Sequence, residues 1–252
     1  MTNSLDIFAQ EYHRKGIPLS DLDQLRHLSK ENPAVFRCYA HRRLFHEPLA
    51  YICGKKTFYN REFKVDCRVY VPNSETETMV RTAIQDIPHN MQVLDIGTGC
   101  GNIAITLAKE RGDLSIFGSD LVPSALEVAE INAKYHGVKI NFYESRYADD
   151  LDDDLKPDVV VSDMPYGDKH YTLGSIDLRE FKHMPPVAIF DPRGILTSYQ
   201  ELLSSLLARN WHPLVYFESG RVEKDLVEEI IPPGKAWEYR SGENYSYTCV
   251  QL

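Results

Sequence analysis

The sequence has 252 residues, of which 43% are hydrophobic and 26% are charged, as is typical of a folded globular protein. Its 28 basic and 37 acidic residues give a formal net charge of -9, which argues against a protein that binds chiefly by neutralising phosphates. Five scattered cysteines predict neither a disulfide framework nor a metal site, and the lack of a secretory or membrane-spanning pattern predicts a cytoplasmic protein.

Residues 1–72 are predicted to form a small helical N-terminal region with a β-hairpin linker. Between residues 5 and 46 apolar residues recur at helical spacing among charged ones. Aromatic and β-branched residues then alternate from residue 57 to 71 on both sides of Tyr59-Asn60-Arg61, which predicts a hairpin. We place a domain boundary near Pro72, so that residues 73–252 form the second domain.

From Ser74 onward, helical and strand patterns alternate, which predicts an α/β fold with a parallel sheet covered by helices. In such sheets, ligands bind at the carboxyl ends of the strands. The first predicted helix runs from residue 74 to about 86 and the second begins at 101; the others span 123–136, 197–209 and 222–230. The predicted strands span 92–96, 115–119, 139–143, 158–162 and 213–217, and a terminal hairpin is predicted around Gly242-Glu243-Asn244.

A glycine-rich segment follows the first of these strands, in the order Val93-Leu94-Asp95-Ile96-Gly97-Thr98-Gly99-Cys100-Gly101. Glycine allows a sharp backbone turn and close approach of a ligand, because no Cβ stands in the way. A dinucleotide-binding turn would have its third glycine at residue 102, where this chain has Asn102. The spacing therefore favours a nucleoside ligand over NAD.

Asp120 closes the second predicted strand, 19 residues after Gly101 (120 − 101). An acidic residue at this place can accept hydrogen bonds from both hydroxyls of a ribose. The alternative is structural: the glycines make only a tight turn, and Asp120 caps the helix that begins at Pro123.

The segment Asp163-Met164-Pro165-Tyr166 follows the strand predicted at residues 158–162. A carboxylate and a backbone carbonyl can both accept hydrogen bonds from an NH2 group, and Tyr166 can stack on a planar amide or ring. The segment therefore suits transfer of a group to a planar nitrogen, with no metal or covalent intermediate. Alone, it could equally be an ordinary loop.

Together these motifs make the chain similar to the HemK/PrmC family of protein-(glutamine-N5) methyltransferases. This is a class I S-adenosylmethionine-dependent family that methylates the glutamine of the Gly-Gly-Gln motif in peptide release factors. The similarity runs through Glu47–Gly54, Pro72, Ser74–Glu77, Val93–Ala108, Asp120, Asn132-Ala133, the Asp-Met-Pro-Tyr segment and, more weakly, Phe217–Gly220.

The resemblance implies a Rossmann-like sheet, S-adenosylmethionine as cofactor and a set of site residues. The implied catalytic residues are Asp163, Pro165 and Tyr166. The implied cofactor-binding residues are Asp95, Gly97, Thr98, Gly99, Gly101, Asp120, Leu121, Arg146, Tyr147 and Asp163.

The chain departs from the family at several of its motifs. Asp163 and Met164 stand where the family usually has Asn-Pro, and the added negative charge favours a cationic or donor-rich acceptor such as a guanidinium. Pro72-Asn73 lacks the arginine of an upstream family motif, and Arg146 replaces an acidic residue that contacts adenine. The cofactor is thus predicted more firmly than the acceptor.

The predicted function is methyl transfer to a planar side-chain nitrogen. The acceptor is either the glutamine amide of a release factor or related protein, or a small glutamine- or arginine-like molecule. Amino-methylation of nucleic acid is an alternative, although the net negative charge and the lack of a base-recognition domain weigh against it. A catalytically inactive scaffold that still binds the cofactor is the other alternative.

Overall fold

A computed structural model describes residues 4–165, 179–189, 191–194, 196–220, 222–241 and 245–252. The N-terminal region is helical, as predicted, and packs around its own apolar cluster, which includes Leu22, Leu25 and Phe36. Asn32 caps the third helix, because its side-chain oxygen accepts hydrogen bonds from the two backbone amides that follow the helix-starting proline. The helices are α1 Ser4–Arg14, α2 Leu19–Leu28, α3 Pro33–Leu44 and α4 Leu49–Cys53.

The predicted hairpin is present but shorter than expected, with strands β1 Lys55–Phe58 and β2 Arg61–Lys64. Its two-residue turn is Tyr59-Asn60, in which both residues have positive φ (47° and 58°), as the tight turns of hairpins require. Phe58 and Phe63 are fully buried and join the core beneath the main sheet. The hairpin therefore packs on the second half of the chain, while the boundary near Pro72 stays a prediction.

The second half forms a seven-stranded sheet of the predicted Rossmann-like α/β class. The strand order is β5-β4-β3-β6-β7-β9-β8; the first five strands are parallel, and β9 runs antiparallel to β7 and β8. The strands are β3 Gln92–Ile96, β4 Ser115–Asp120, β5 Asn141–Glu144, β6 Val159–Ser162, β7 Leu214–Gly220, β8 Ala236–Ser241 and β9 Ser246–Gln251.

Among the residues that the structure describes, five α-helices accompany this sheet, at positions close to those that the sequence pattern predicts. They are α5 Thr76–Asp86, α6 Asn102–Glu110, α7 Pro123–His136, α8 Thr197–Ala208 and α9 Lys224–Ile230. The terminal strands β8 and β9 pair as predicted, whereas Gly242-Glu243-Asn244 between them lie outside the described residues. Within the part of the chain that the structure describes, no helix has the length and apolarity needed to cross a membrane.

Alternate residues of the central strands contribute to two apolar clusters on opposite faces of the sheet. Val159 and Val161 belong to one cluster, while Val160 belongs to the other, so β6 is buried on both faces as predicted. Strand β3 has β4 on one side and β6 on the other. Because β3 and β6 are neighbours, the loops that follow them border the same cleft at the carboxyl ends of the strands.

Candidate active site at the carboxyl edge of the sheet

A cavity of about 590 Å³ opens at this edge, where the loops after β3, β4, β5 and β6 meet. Its other walls come from residues 68–75, which link the hairpin to α5, and from residues 185–189, which precede α8. A cavity of this size is ample for a nucleoside-sized ligand. Eight of the predicted site residues line it: Gly97, Gly99, Asp120, Leu121, Arg146, Tyr147, Asp163 and Pro165.

The glycine-rich loop presents its backbone to the cavity at Gly97 and Gly99, both of which have positive φ (77° and 55°). The amides of Gly97 and Thr98 donate to the carbonyl oxygen of Ser119, which ties the loop to the end of β4. A Cβ at Gly97 would stand 3.1 Å from Cγ of Met164. Glycine is therefore needed here for both conformation and space.

Three predicted cofactor residues, Asp95, Thr98 and Gly101, are not among the described residues that line the cavity. Asp95 is buried, and its Oδ2 accepts hydrogen bonds from Thr98 Oγ1 (2.7 Å) and from the Ala104 amide (3.1 Å). Gly101 immediately precedes α6 with a φ of 82°, and a Cβ there would stand 2.9 Å from Ile105 Cδ1. These residues shape the turn beneath the cavity, a structural role that the sequence pattern did not separate from ligand contact.

Asp120 joins the glycine loop to the cavity wall. Its Oδ2 accepts a hydrogen bond from the Gly99 amide and its Oδ1 accepts one from the Val122 amide, both at 2.9 Å. Burial raises the pKa of this carboxyl above its usual value. The residue that caps α7 is Val122 rather than Asp120, so the purely capping alternative does not describe this carboxylate. Each oxygen retains a lone pair for a further donor.

Asp163 lines the opposite wall of the cavity, beyond the end of β6. Thr76, the first residue of α5, donates a hydrogen bond from Oγ1 to Asp163 Oδ2 at 2.8 Å. Shielding from water raises the pKa of Asp163 to about 6, and the charge of Glu75 adds to this rise. Within the described part of the chain, Oδ1 receives no hydrogen bond. Tyr166, the third predicted catalytic residue, lies outside the described residues.

Two residues that the sequence analysis did not identify hold this segment. Thr76 orients the carboxylate of Asp163, as described above. Tyr199, in α8, is fully buried, and its hydroxyl accepts a hydrogen bond from the Met164 amide at 2.9 Å. The same hydroxyl lies 3.3 Å from the Met164 carbonyl oxygen, to which it donates. In the sequence, Tyr199 looks like any apolar-face residue of a helix, so no signal distinguishes it.

Arg146 and Tyr147 form the side of the cavity near the end of β5. Tyr147 donates its hydroxyl to Glu201 Oε2 at 2.8 Å, and Arg146 pairs with the same oxygen at 3.1 Å. Arg193 binds the other oxygen, Oε1, at 2.6 Å. The charge of Arg146 is therefore matched by Glu201, and Tyr147 lines the cavity beside it.

The end of the cavity around Asp163 is acidic. Glu75 and Glu218 line it beside Asp163, and Tyr70 stands among them. Burial, and then the charges of these carboxylates, raise the pKa of the Tyr70 hydroxyl, so it stays protonated and can donate a hydrogen bond. Negative charge at this end suits a ligand that carries a cationic centre.

These features together fit S-adenosylmethionine. The bare backbone at Gly97 and Gly99 allows a nucleoside to lie against it, and the Asp120 carboxylate is an acceptor for the ribose hydroxyls. The Tyr147 ring is a flat surface for adenine. The acidic end, which includes Asp163, is complementary to the positively charged sulfonium.

Comparison with known proteins agrees with this interpretation. Residues 87–207 match a family model described as a methyltransferase domain. The chain is 39% identical over 171 residues to a release factor glutamine methyltransferase of Neisseria gonorrhoeae, covering 66% of this chain and 58% of the relative. It is 37% identical over 202 residues to one from Nitratidesulfovibrio vulgaris, covering 78% of this chain and 68% of the relative.

The fold is shared with more distant enzymes. The ribosomal protein L11 methylase of Lactobacillus delbrueckii subsp. bulgaricus aligns with a TM-score of 0.53 at 16% identity, covering 73% of this chain and 81% of that one. At such low identity the likeness concerns the fold alone. The chain spans about 58% of the length of the Neisseria relative, and about 56% of the Geobacter sulfurreducens one. On the similarity to its relatives, this chain belongs to the family of release factor glutamine methyltransferases.

Proposed function

We propose that this chain transfers a methyl group from S-adenosylmethionine to the side-chain amide nitrogen of a glutamine in a peptide release factor. One observation carries the proposal: a single cavity brings the glycine loop and Asp120 opposite Asp163 and Pro165, in a chain related to release factor glutamine methyltransferases. Release factors act on ribosomes, so a cytoplasmic location is part of the proposal.

Gly97, Gly99 and Asp120 would hold the nucleoside, with Tyr147 against the adenine and Leu121 at the rim. When bound, S-adenosylmethionine supplies an electrophilic methyl group on a sulfonium, and the sulfur keeps the electron pair of the broken bond. Asp95, Thr98 and Gly101 support this arrangement from below by fixing the loop.

Asp163 would act on the acceptor. Its Oδ2 is held by Thr76, which leaves Oδ1 to accept a hydrogen bond from the glutamine NH2 group. Such a bond, with a second one to the Met164 carbonyl, orients the nitrogen toward the methyl group and makes the approach in-line. The nitrogen loses a proton on methylation, and this proton passes to solvent water, so Asp163 is needed as a hydrogen-bond acceptor rather than as a base. Tyr166 is proposed, from sequence similarity alone, to stack on the planar amide.

The acidic end of the cavity supports a second acceptor class. Glu75 and Asp163 would attract a guanidinium more strongly than a neutral amide. The similarity to release factor glutamine methyltransferases supports a protein acceptor, whereas a free arginine- or glutamine-like molecule is supported only by this charge. The two acceptor classes are separated by the effect of Asp163→Asn, which is treated in the Discussion.

The proposal is tested with purified protein, S-adenosylmethionine carrying a labelled methyl group, and a release factor. We expect label on the glutamine of the Gly-Gly-Gln motif, located by mass spectrometry of peptides. A release factor with that glutamine replaced by alanine is the control substrate and should take up no label. Free arginine, free glutamine and nucleic acid are tested in parallel, and label on one of these alone would contradict the proposal.

A further inference from the structure

The backbone of Met164 presents a problem that the usual family sequence does not have. A proline at this position has no N–H group, whereas Met164 has one, and the residue is only 6% exposed. A buried N–H group without a partner is costly, so it must find an acceptor. The acceptor is the hydroxyl of Tyr199, at 2.9 Å.

Tyr199 is itself rigidly placed. It is fully buried on the first turn of α8, and its ring stacks on Phe217 of β7 at 4.6 Å between centroids, with the planes 30° apart. Burial raises its pKa well above the usual value, so the hydroxyl keeps its proton at any assay pH. It can therefore accept from the Met164 amide and donate to the Met164 carbonyl at the same time.

We propose that Tyr199 is a positioning residue: its hydroxyl clamps the backbone of Met164 and so keeps Asp163 and the Met164 carbonyl directed at the acceptor nitrogen. The clamp replaces the conformational restriction that a proline at residue 164 would impose. This inference rests on the proposed function for its effect on turnover, but the clamp itself is a property of the folded chain. Tyr199 thus acts on the reaction only by holding Met164 and does not contact the substrate.

The first test is Tyr199→Phe, which removes one oxygen and keeps the ring stacked on Phe217. We expect kcat for methyl transfer to fall about 10- to 100-fold, because the buried Met164 N–H group loses its acceptor and the Met164 carbonyl loses a donor, while the Kd for S-adenosylmethionine changes less than about 3-fold. Tyr247→Phe is the matched control: Tyr247 is also buried, its hydroxyl bonds to Thr82 at 2.8 Å, and it is not among the described residues that line the cavity. Its kcat should stay at the parental value.

A double-mutant cycle separates the clamp from a general structural effect. In the Met164→Pro background the N–H group is gone, so Tyr199→Phe should cost no more than about 3-fold in kcat. In the Met164→Leu background the N–H group and an apolar side chain over Gly97 remain, so the full cost should persist. An equal cost of Tyr199→Phe in all three backgrounds would overturn the proposal.

Hydrogen exchange of the Met164 amide tests the clamp without any substrate. In the parent this amide should exchange slowly, and in Tyr199→Phe it should exchange at least about 10-fold faster, while amides in β7 keep their protection. Unchanged protection of Met164 would overturn the inference even if turnover fell. Failure of the proposed function looks different: the parent would not methylate a release factor, yet the exchange difference would persist.

Discussion

Replacing Asp163 with asparagine tests how the acceptor is held. Asparagine has nearly the shape of aspartate and restores the residue usual in the family, but it carries no charge and does not titrate. Asp163 has a pKa raised to about 6, because it is shielded from water and lies near Glu75. Since the pKa is raised, the ionised form is complete at pH 8 and is lost as the pH falls through 6.

The size of the pH effect follows from this pKa. About nine tenths of Asp163 is ionised one pH unit above the pKa and about one tenth one unit below it. If the ionised form is required, kcat of the parent should fall roughly tenfold between pH 7.5 and pH 5. This fall of kcat towards low pH is the acid limb of the pH profile, and it should disappear in Asp163→Asn.

The activity of Asp163→Asn at pH 8 distinguishes the two acceptor classes. With a glutamine amide, the asparagine oxygen still accepts a neutral hydrogen bond, so kcat should stay within about 3-fold of the parent. With a guanidinium acceptor, a charge-assisted bond becomes a neutral one, and kcat/KM should fall about 10-fold or more.

The assay is the initial rate of labelled methyl transfer at saturating cofactor, from pH 5 to pH 8.5, with folding checked by circular dichroism at each pH. If Asp163→Asn kept the same acid limb as the parent, another group would be titrating and the assignment to Asp163 would be wrong. A large loss on the glutamine acceptor at pH 8 would show instead that the carboxylate must take the proton.

Three further outcomes follow. Thr76→Val removes the hydrogen bond that lowers the pKa of Asp163, so the acid limb should move to higher pH, while Thr76→Ser should leave it in place; a limb that does not move under Thr76→Val would contradict the contact. Asp120→Ala should weaken S-adenosylhomocysteine binding roughly 10- to 100-fold by calorimetry, and parental affinity would show that Asp120 does not bind the ribose. Because Asp120 also accepts hydrogen bonds from two backbone amides, the melting temperature of the variant without ligand is measured as a control for stability. NAD should show no binding in the same titration, since Asn102 stands where a dinucleotide turn needs glycine, and micromolar affinity would refute this.

Much of the fold could be predicted, because it depends on local patterns. Helix α7 was predicted at its observed bounds from Pro123 to His136, where a proline starts the helix and Gly137 ends it with a φ of 66°. Strand β6 was identified by consecutive valines, which are buried on both faces. The hairpin was predicted too long, because the alternating sequence pattern continues past Lys64, whereas the pairing between β1 and β2 ends there.

The site was predicted in part. Charged residues close to a glycine-rich turn form a recognisable sequence motif, whereas the residues that hold them in place do not. Asp120 and Asp163 were both predicted, and both line the cavity. Asp95 was assigned to the cofactor because it belongs to the same motif; its Oδ2 accepts two hydrogen bonds inside the turn, and a contact with the cofactor stays a prediction.

The supporting contacts join segments far apart in sequence. Thr76 lies 87 residues before Asp163, and Tyr199 lies 35 residues after Met164. Only the sheet topology brings these residues together, so no local pattern could reveal them.

The most direct test of the central claim is the position of the transferred methyl group. A release factor is incubated with the parent protein and labelled S-adenosylmethionine, digested, and sequenced by mass spectrometry. We predict one methyl group on the side-chain amide of the Gly-Gly-Gln glutamine, and none when that glutamine is alanine. Tight binding of S-adenosylmethionine with no methyl group on this glutamine, or with a methyl group only on an arginine or a nucleic acid, would contradict the account.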